Sequence, residues 1–470
     1  MQAQAGMQPL TMLPEMVLFG TGLAVLLAGS FLPRTRQWWT RIVAATGVLG
    51  CGTAAALAMT GPDRAGFEGT FVIDTATSVA RMVAATAVLC VLAVAGGEIA
   101  GSARESETYA LLLFATTGIL VLAGAADLLV LITGFLLTSI PLYGLIGVVR
   151  SPQSAEAALK TYLLGALFGI VLLLGVSLLS GITGTTRYDE LTGLLGDVPV
   201  AVVAAGFVGV TAGLLFEAGA VPGHFWVPDA AQGAGGIVAM FLTTVPKVGA
   251  LIALYRLATI VPDTVAWPRV LAVLAVASMT LGNLAAYGQR DPRRLLGWST
   301  VGQVGFLLVP ITVTGRSDLA LPSLLFYLAA YTVTNIAAFA VTTSLPEYRD
   351  LSDYRGLSRS RPWLAGALLV ALLGLVGTPP TGVFVGKLTT ATAAWDGGRP
   401  WLAVAVFVTT LISLFYYLRW IVPAYLHRPE PDDSRVCVPE SWSAGAAVIT
   451  AGLSLVLGMA AGMIWGLITP

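Results

Sequence analysis

Apolar residues occur in long runs separated by short polar interruptions, near 12–32, 41–59, 72–95, 109–124, 126–149, 155–180, 199–219, 237–258, 265–287, 297–313, 319–344, 361–394, 401–425 and 441–468. A helix needs about 20 residues to cross the hydrocarbon core of a bilayer. The pattern therefore predicts an all-α polytopic membrane fold of fourteen helices, one per run. Two of the runs are irregular. From Val200 to Gly235 there are about 36 residues, too many for one upright crossing and too few for two. Gly219-Ala220-Val221-Pro222-Gly223-His224 interrupts this stretch, and Gly377-Thr378-Pro379-Pro380-Thr381-Gly382 interrupts the run at 361–394. Proline removes a backbone donor and clashes with the preceding turn, and glycine loosens the helix on either side. Both runs are expected to break near mid-membrane and resume.

The breaks fall in the seventh and twelfth helices, five places apart, which suggests a duplicated five-helix unit. An odd number of helices per unit inverts one copy relative to the other. On this reading residues 1–105 form helices 1–3, 106–260 the first repeat (helices 4–8), 261–428 the second, inverted repeat (helices 9–13), and 429–470 helix 14.

Composition agrees with a bilayer setting. Hydrophobic residues make up 56% of the chain and charged ones 11%, against about 25% charged in soluble domains. No polar stretch is long enough for a soluble domain. The opening MQAQAGMQPL has no basic segment before the first apolar run, so that run is expected to be a retained helix rather than a cleaved leader. Cys51, Cys90 and Cys437 are scattered, without metal-ligand spacing. A net charge of zero excludes a nucleic-acid footprint. Of 25 basic residues, sixteen lie in loops after odd-numbered helices, and six (Arg64, Arg187, Arg256, Arg269, Arg316, Arg399) after even-numbered ones. Basic residues collect on the cytoplasmic side, so both termini are expected outside.

Candidate chemistry resides in the few ionisable groups inside spans. Lys247 is central in the run at 237–258, behind Thr243, Thr244 and Pro246. A lysine at that depth is costly to insert unless it faces the protein interior, and its charge depends on what surrounds it. Glu217, one helix earlier and just before the first break, either pairs with Lys247 or faces a cavity and carries protons itself. Lys387 stands in the same relation to the second break, or else snorkels to the interface. His224, within the first break, is either a proton carrier or a partner for free backbone groups. Arg81 is expected to reach the interface or pair with Asp74. Tyr327, Tyr331 and Asn335 form a polar stripe on the eleventh helix, with Thr300 and Gln303 on the tenth; such stripes tie helices together. No haem-ligating pair, cysteine cluster or dinucleotide fingerprint marks a redox site.

Several blocks, in order, resemble the subunit N family of proton-pumping NADH:quinone oxidoreductase, respiratory complex I. They are Glu107–Thr116, Ala126–Val130, Ser139–Tyr143, AALKTYLLGALFG (157–169), GAVPGHFWVPDAAQG (219–233), RRLLGWSTVGQVGF (293–306), residues 324–341 and 354–365, GTPPTGVFVGK (377–387) and SLFYYLR (413–419). The resemblance covers most of 70–425 and implies a superfamily that also includes subunits L and M and the large subunits of sodium/proton antiporters. It implies fourteen helices with inverted repeats and the two breaks already inferred. It further implies a subunit without a redox centre that moves protons along buried charges and water. NADH, flavin, iron–sulfur clusters and quinone are then expected in partner subunits, with subunits of L, M and K type beside this one in the plasma membrane. Lys247 and Lys387 match the family's lysines on the eighth and twelfth helices.

Two positions depart from the family pattern. Leu136 stands where a fifth-helix glutamate is usual, and Glu217 where its seventh-helix lysine partner is usual. Gln303 replaces the tenth helix's common histidine. A lysine without its acid would be an unpaired buried charge, so the first two changes make sense together. A sodium/proton antiporter subunit, or a structural subunit that no longer conducts, are the rival readings.

Overall fold

The computed structural model of the chain describes residues 9–59, 61–426 and 441–469; Cys437, Arg428 and Arg435 lie outside them. Its helices are α1 (Leu13–Phe31), α2 (Trp38–Met59), α3 (Thr75–Glu98), α4 (Glu105–Gly124), α5 (Leu128–Gly147), α6 (Pro152–Thr183), α7 (Tyr188–Leu194), α8 (Val200–Ala218), α9 (Trp226–Gly233) and α10 (Gly236–Ile260). They continue as α11 (Trp267–Tyr287), α12 (Pro292–Ile311), α13 (Ala320–Ser344), α14 (Leu357–Ser360), α15 (Pro362–Val376), α16 (Gly382–Asp396), α17 (Pro400–Leu426), α18 (Ser441–Met459) and α19 (Ala461–Ile468). Thirteen of these are long and apolar enough to cross a membrane. The split pair α15–α16 supplies the remaining crossing, giving the expected fourteen.

The seventh crossing is α8 followed by α9, and the twelfth is α15 followed by α16, each interrupted where the glycines and prolines fall. Short elements escaped the hydropathy pattern: α7, and a hairpin of β1 (Arg64–Gly66) with β2 (Phe71–Ile73). The last run divides at Ala460 into α18 and α19.

Position in the bundle decides which helices can carry polar groups. The central stretch of α10 is buried on every side, and α4, α12 and α13 nearly so. By contrast α6 exposes Leu159, Leu163, Leu167, Ile170 and Leu174, as a lipid-facing or partner-facing helix does. Helices hydrophobic all round have no amphipathic stripe to orient them. Orientation comes instead from small residues that let backbones approach and from buried polar contacts.

Those contacts correct one expectation. Arg81 does not pair with Asp74. It makes a two-pronged ion pair with Glu15 of α1, with both bonds at 2.8 Å, and donates to the Thr11 carbonyl at 3.2 Å. Asp74 caps α3 and accepts both ends of the Arg256 guanidinium, at 2.8 and 2.9 Å. Asp74 precedes Arg81 by two helical turns, whereas Glu15 and Arg256 arrive from other helices, which sequence proximity could not reveal. At the opposite end Glu98 accepts from the Gly236 and Ile237 amides, at 2.6 and 2.8 Å, fixing the start of α10. An acid there satisfies orphan donors and the positive end of the helix. Asp229 of α9 is held by Lys160 of α6 and Arg294 of α12, at 2.9 and 2.6 Å, which anchors the second half of the broken crossing.

Candidate proton-transfer site

Both breaks are built alike. Gly219 ends α8 in the left-handed conformation (φ 79°), and its amide reaches the Leu215 and Phe216 carbonyls while Ala220 N reaches Leu215 O. Gly377 ends α15 in the same conformation (φ 89°), with Gly377 N bonded to Leu373 O and Gly374 O and Thr378 N to Leu373 O. A left-handed residue that ends a helix is most easily glycine. Close approach adds a second reason. A Cβ on Gly219 would lie 2.6 Å from Val227 Cγ2 and 3.5 Å from Lys247 Nζ, and one on Gly377 3.0 Å from Lys387 Cδ. Each lysine therefore reaches the open side of its own break. The Val221–Pro222 and Pro379–Pro380 peptide bonds are cis.

The lysines are held differently. Lys387, 4% exposed, donates to the Leu375 and Val376 carbonyls at 3.2 and 2.9 Å, and its ammonium lies 4.1 Å from the Phe306 ring centroid. It thus occupies the negative end of α15 and does not snorkel. Lys247 is fully buried. Its Nζ lies 4.8 Å from the Trp226 ring centroid and has no hydrogen-bond partner among the described residues.

Glu217 is fully buried as well, but the ion pair expected between it and Lys247 is not formed. Its Oε2 accepts from Ser139 Oγ of α5 at 2.8 Å, and its Oε1 has no partner among the described residues. The carboxylate is turned toward the fifth crossing, while Trp226 packs over the lysine. Leu136, one turn before Ser139, is 41% exposed and faces out of the bundle. Sequence reasoning missed Ser139; the signal was a hydroxyl one turn beyond Leu136 in a run otherwise suited to lipid.

His224 is buried within the first break, its ring centroid 4.1 Å from Phe225 and 5.7 Å from Trp298. Its Nδ1 has no hydrogen-bond partner among the described residues, and no hydrogen bond joins it to Glu217 or Lys247.

Between the two lysines the polar stripe does tie helices together. Asn335 Nδ2 donates to Thr243 Oγ1 at 3.0 Å, one turn from Lys247. Tyr331 OH donates to Thr243 O at 2.7 Å and contacts Thr300 Oγ1 at 3.1 Å. Three residues along α12, Gln303 accepts from Tyr327 OH at 2.6 Å and donates to Leu375 O at 2.7 Å, the carbonyl that Lys387 also uses. Ser299 with Tyr417 flanks this line at 2.5 Å. Such contacts order the helices they join, although the buried Asn335 Oδ1 has no hydrogen-bond partner among the described residues. Among the described residues, no group of three His, Cys, Asp or Glu converges as a metal site would require.

Residues 125–413 match the family model described as NADH:quinone oxidoreductase/Mrp antiporter, transmembrane. The chain belongs to that family. It is 63% identical over 469 residues to NADH-quinone oxidoreductase subunit N of Mycobacterium sp. (strain JLS), covering 100% of both chains. A chain of respiratory complex I from Thermus thermophilus, solved with bound aureothin, superposes with a TM-score of 0.83 at 31% identity, over 96% of this chain and 98% of that one. A chain of the Mrp complex from Dietzia sp. DQ12-45-1b superposes with a TM-score of 0.85 at 23% identity, over 98% and 96%, a likeness of fold.

Proposed function

We propose that this chain is the proton-translocating, subunit N-type membrane component of an NADH:quinone oxidoreductase, driven by quinone chemistry performed elsewhere in the complex. One observation carries the reading: between two buried cations at two helix breaks lie two hydrogen-bonded groups of side chains, one joining Thr243, Asn335, Tyr331 and Thr300 beside Lys247, the other, one turn along α12, joining Tyr327, Gln303 and the Leu375 carbonyl to Lys387. An intramembrane ionisable group that faces protein interior marks an ion pathway by default. Glu217, held by Ser139 rather than by Lys247, stands at the α5 end of the proposed route. A proton gained or lost there changes the field at Lys247, whose ammonium has no hydrogen-bond partner among the described residues to hold it in place. Exchange then proceeds along Glu217, Lys247, the hydroxyl and amide groups of α10, α12 and α13, and Lys387, with water completing the gaps; His224 lies beside the first break as a candidate for access to it.

The matching caps of α8 and α15 support the inverted-repeat organisation, with 106–260 and 261–428 as the two units. The excess of basic residues in loops after odd-numbered crossings supports a reading with both termini on the outer side of the plasma membrane. NADH, flavin, iron–sulfur clusters and quinone belong to partner subunits, and this chain acts without a redox site of its own beside subunits of L, M and K type. The test is K247A in the assembled complex, in sealed vesicles, with NADH oxidation and proton uptake recorded together. A lower ratio of protons moved to NADH oxidised is expected. An unchanged ratio in a fully assembled complex overturns the proposal and leaves a structural subunit.

A further inference from the structure

At the end of the bundle that carries Arg256, a cavity of about 750 Å³ opens between the α10–α11 connection, the α12–α13 connection and the start of α17. Three arginines line it: Arg269, Arg316 and Arg399. They are half of the six basic residues in the loops after even-numbered crossings. None of the three makes an ion pair with any described residue, although Arg256 at the same end is paired with Asp74, and Arg187 with Asp189. The acid on the rim, Asp263, is also without an ion pair among the described residues and cannot balance three cations.

Arg399 is the most telling. It is 8% exposed, its Nη1 donates to the Pro268 carbonyl at 3.1 Å, and its buried Nε has no acceptor among the described residues. Burial first, then the like charges of Arg316 and Arg269, hold its guanidinium below the ordinary pKa of arginine. A buried donor left unsatisfied beside two further cations is unfavourable unless an anion enters. Guanidinium groups are forked donors that match phosphate oxygens in pairs.

The neighbouring surface indicates which phosphate. Below the cavity, Val270 and Val273 of α11 and Trp401 and Val404 of α17 are exposed, at 47%, 63%, 52% and 56%, and these two helices pack together. An apolar seam thus continues from the basic cavity into the membrane, with a tryptophan at the level where headgroups lie. We propose that this cavity binds the phosphate of an anionic phospholipid, with Arg399 at its base, Arg269 and Arg316 at its mouth, and the acyl chains along the α11–α17 seam.

The experiment uses the whole purified complex, delipidated and re-exposed to phosphatidylglycerol or phosphatidylcholine, with retained lipid measured by mass spectrometry after washing. Wild type is expected to retain a phosphatidylglycerol that the R269Q/R316Q/R399Q complex loses, with no matching difference for phosphatidylcholine and no displacement by excess inorganic phosphate. Each arginine near a membrane surface contributes about a fivefold preference for anionic lipid, so the three together give roughly a hundredfold. If the triple variant fails to assemble, R269Q/R316Q, which changes only the two exposed residues, is expected to bind about 25-fold more weakly. Equal retention by wild type and variant overturns the proposal. So does equal retention of phosphatidylcholine, or displacement by inorganic phosphate, which would make this a site for the free anion.

Discussion

Replacing Gln303 by leucine removes two hydrogen bonds from the proposed proton route. Gln303 both accepts from Tyr327 OH and donates to Leu375 O. Leucine is close in size, so packing is nearly kept while both bonds are lost. Leu375 O keeps its bond from Lys387, but the Tyr327 hydroxyl, fully buried, is left without its acceptor. Leaving such a group unsatisfied costs about 1–3 kcal/mol, and a similar increase in the barrier for a proton passing that point, taken as about 2 kcal/mol, slows transfer roughly thirtyfold. The assay is NADH-driven proton uptake by sealed vesicles, divided by the rate of NADH oxidation in the same sample, with assembly verified on native gels. Q303L is expected to lower the ratio in a complex that still assembles. Q303H, which restores one donor and one acceptor in a ring of similar reach, is expected to recover much of it. A Q303L complex with the wild-type ratio would refute the idea that protons use this route.

Three further predictions follow from particular contacts. S139A leaves both oxygens of the Glu217 carboxylate without a partner among the described residues; a hydrogen bond to an ionised group is worth about 1.5–3 kcal/mol, and the proton-to-NADH ratio should fall in S139A but be kept in S139T, whereas equal ratios in all three would remove Ser139 from the mechanism. Breaking the buried Glu15–Arg81 pair from one side, in E15L or R81L, should destabilise the chain by about 3–5 kcal/mol, while the double replacement recovers most of that loss; thermal release of the chain from the solubilised complex measures it, and a double variant as weak as the singles would contradict the reasoning. At the Asp74–Arg256 pair, burial of Asp74 opposes ionisation, but the guanidinium and the Thr77 donors outweigh it, so the carboxyl titrates below its ordinary value. Its stabilising contribution is therefore complete above about pH 4 and lost as pH falls through the folded-state value. D74N should be less stable than wild type at neutral pH, and the difference should shrink in acid; a difference that grows in acid would reverse the sign.

The lysines, the acid and the breaks were legible in the sequence for one physical reason. Lipid tolerates neither an uncompensated charge nor an open backbone, so Lys247, Lys387, Glu217, Pro222 and Pro379-Pro380 stand out against an apolar background, where in a soluble protein they would be lost among dozens of similar residues. The run lengths predicted the number of crossings on the same grounds. Sequence could not say what each buried group touches. Membrane helices carry no amphipathic stripe strong enough to fix their rotation, so the partner of Arg81 was sought nearby in Asp74 and found 66 residues away in Glu15. The partner of Glu217 was sought in Lys247 and found in Ser139, because the turn after Gly219 sends Trp226 across the lysine while α5 offers a hydroxyl to the acid. In sequence Arg269, Arg316 and Arg399 count only as basic residues of the loops after even-numbered crossings. Their meeting around one cavity depends on three connections far apart in the chain, and only the packing of α10, α11, α12 and α17 brings them together.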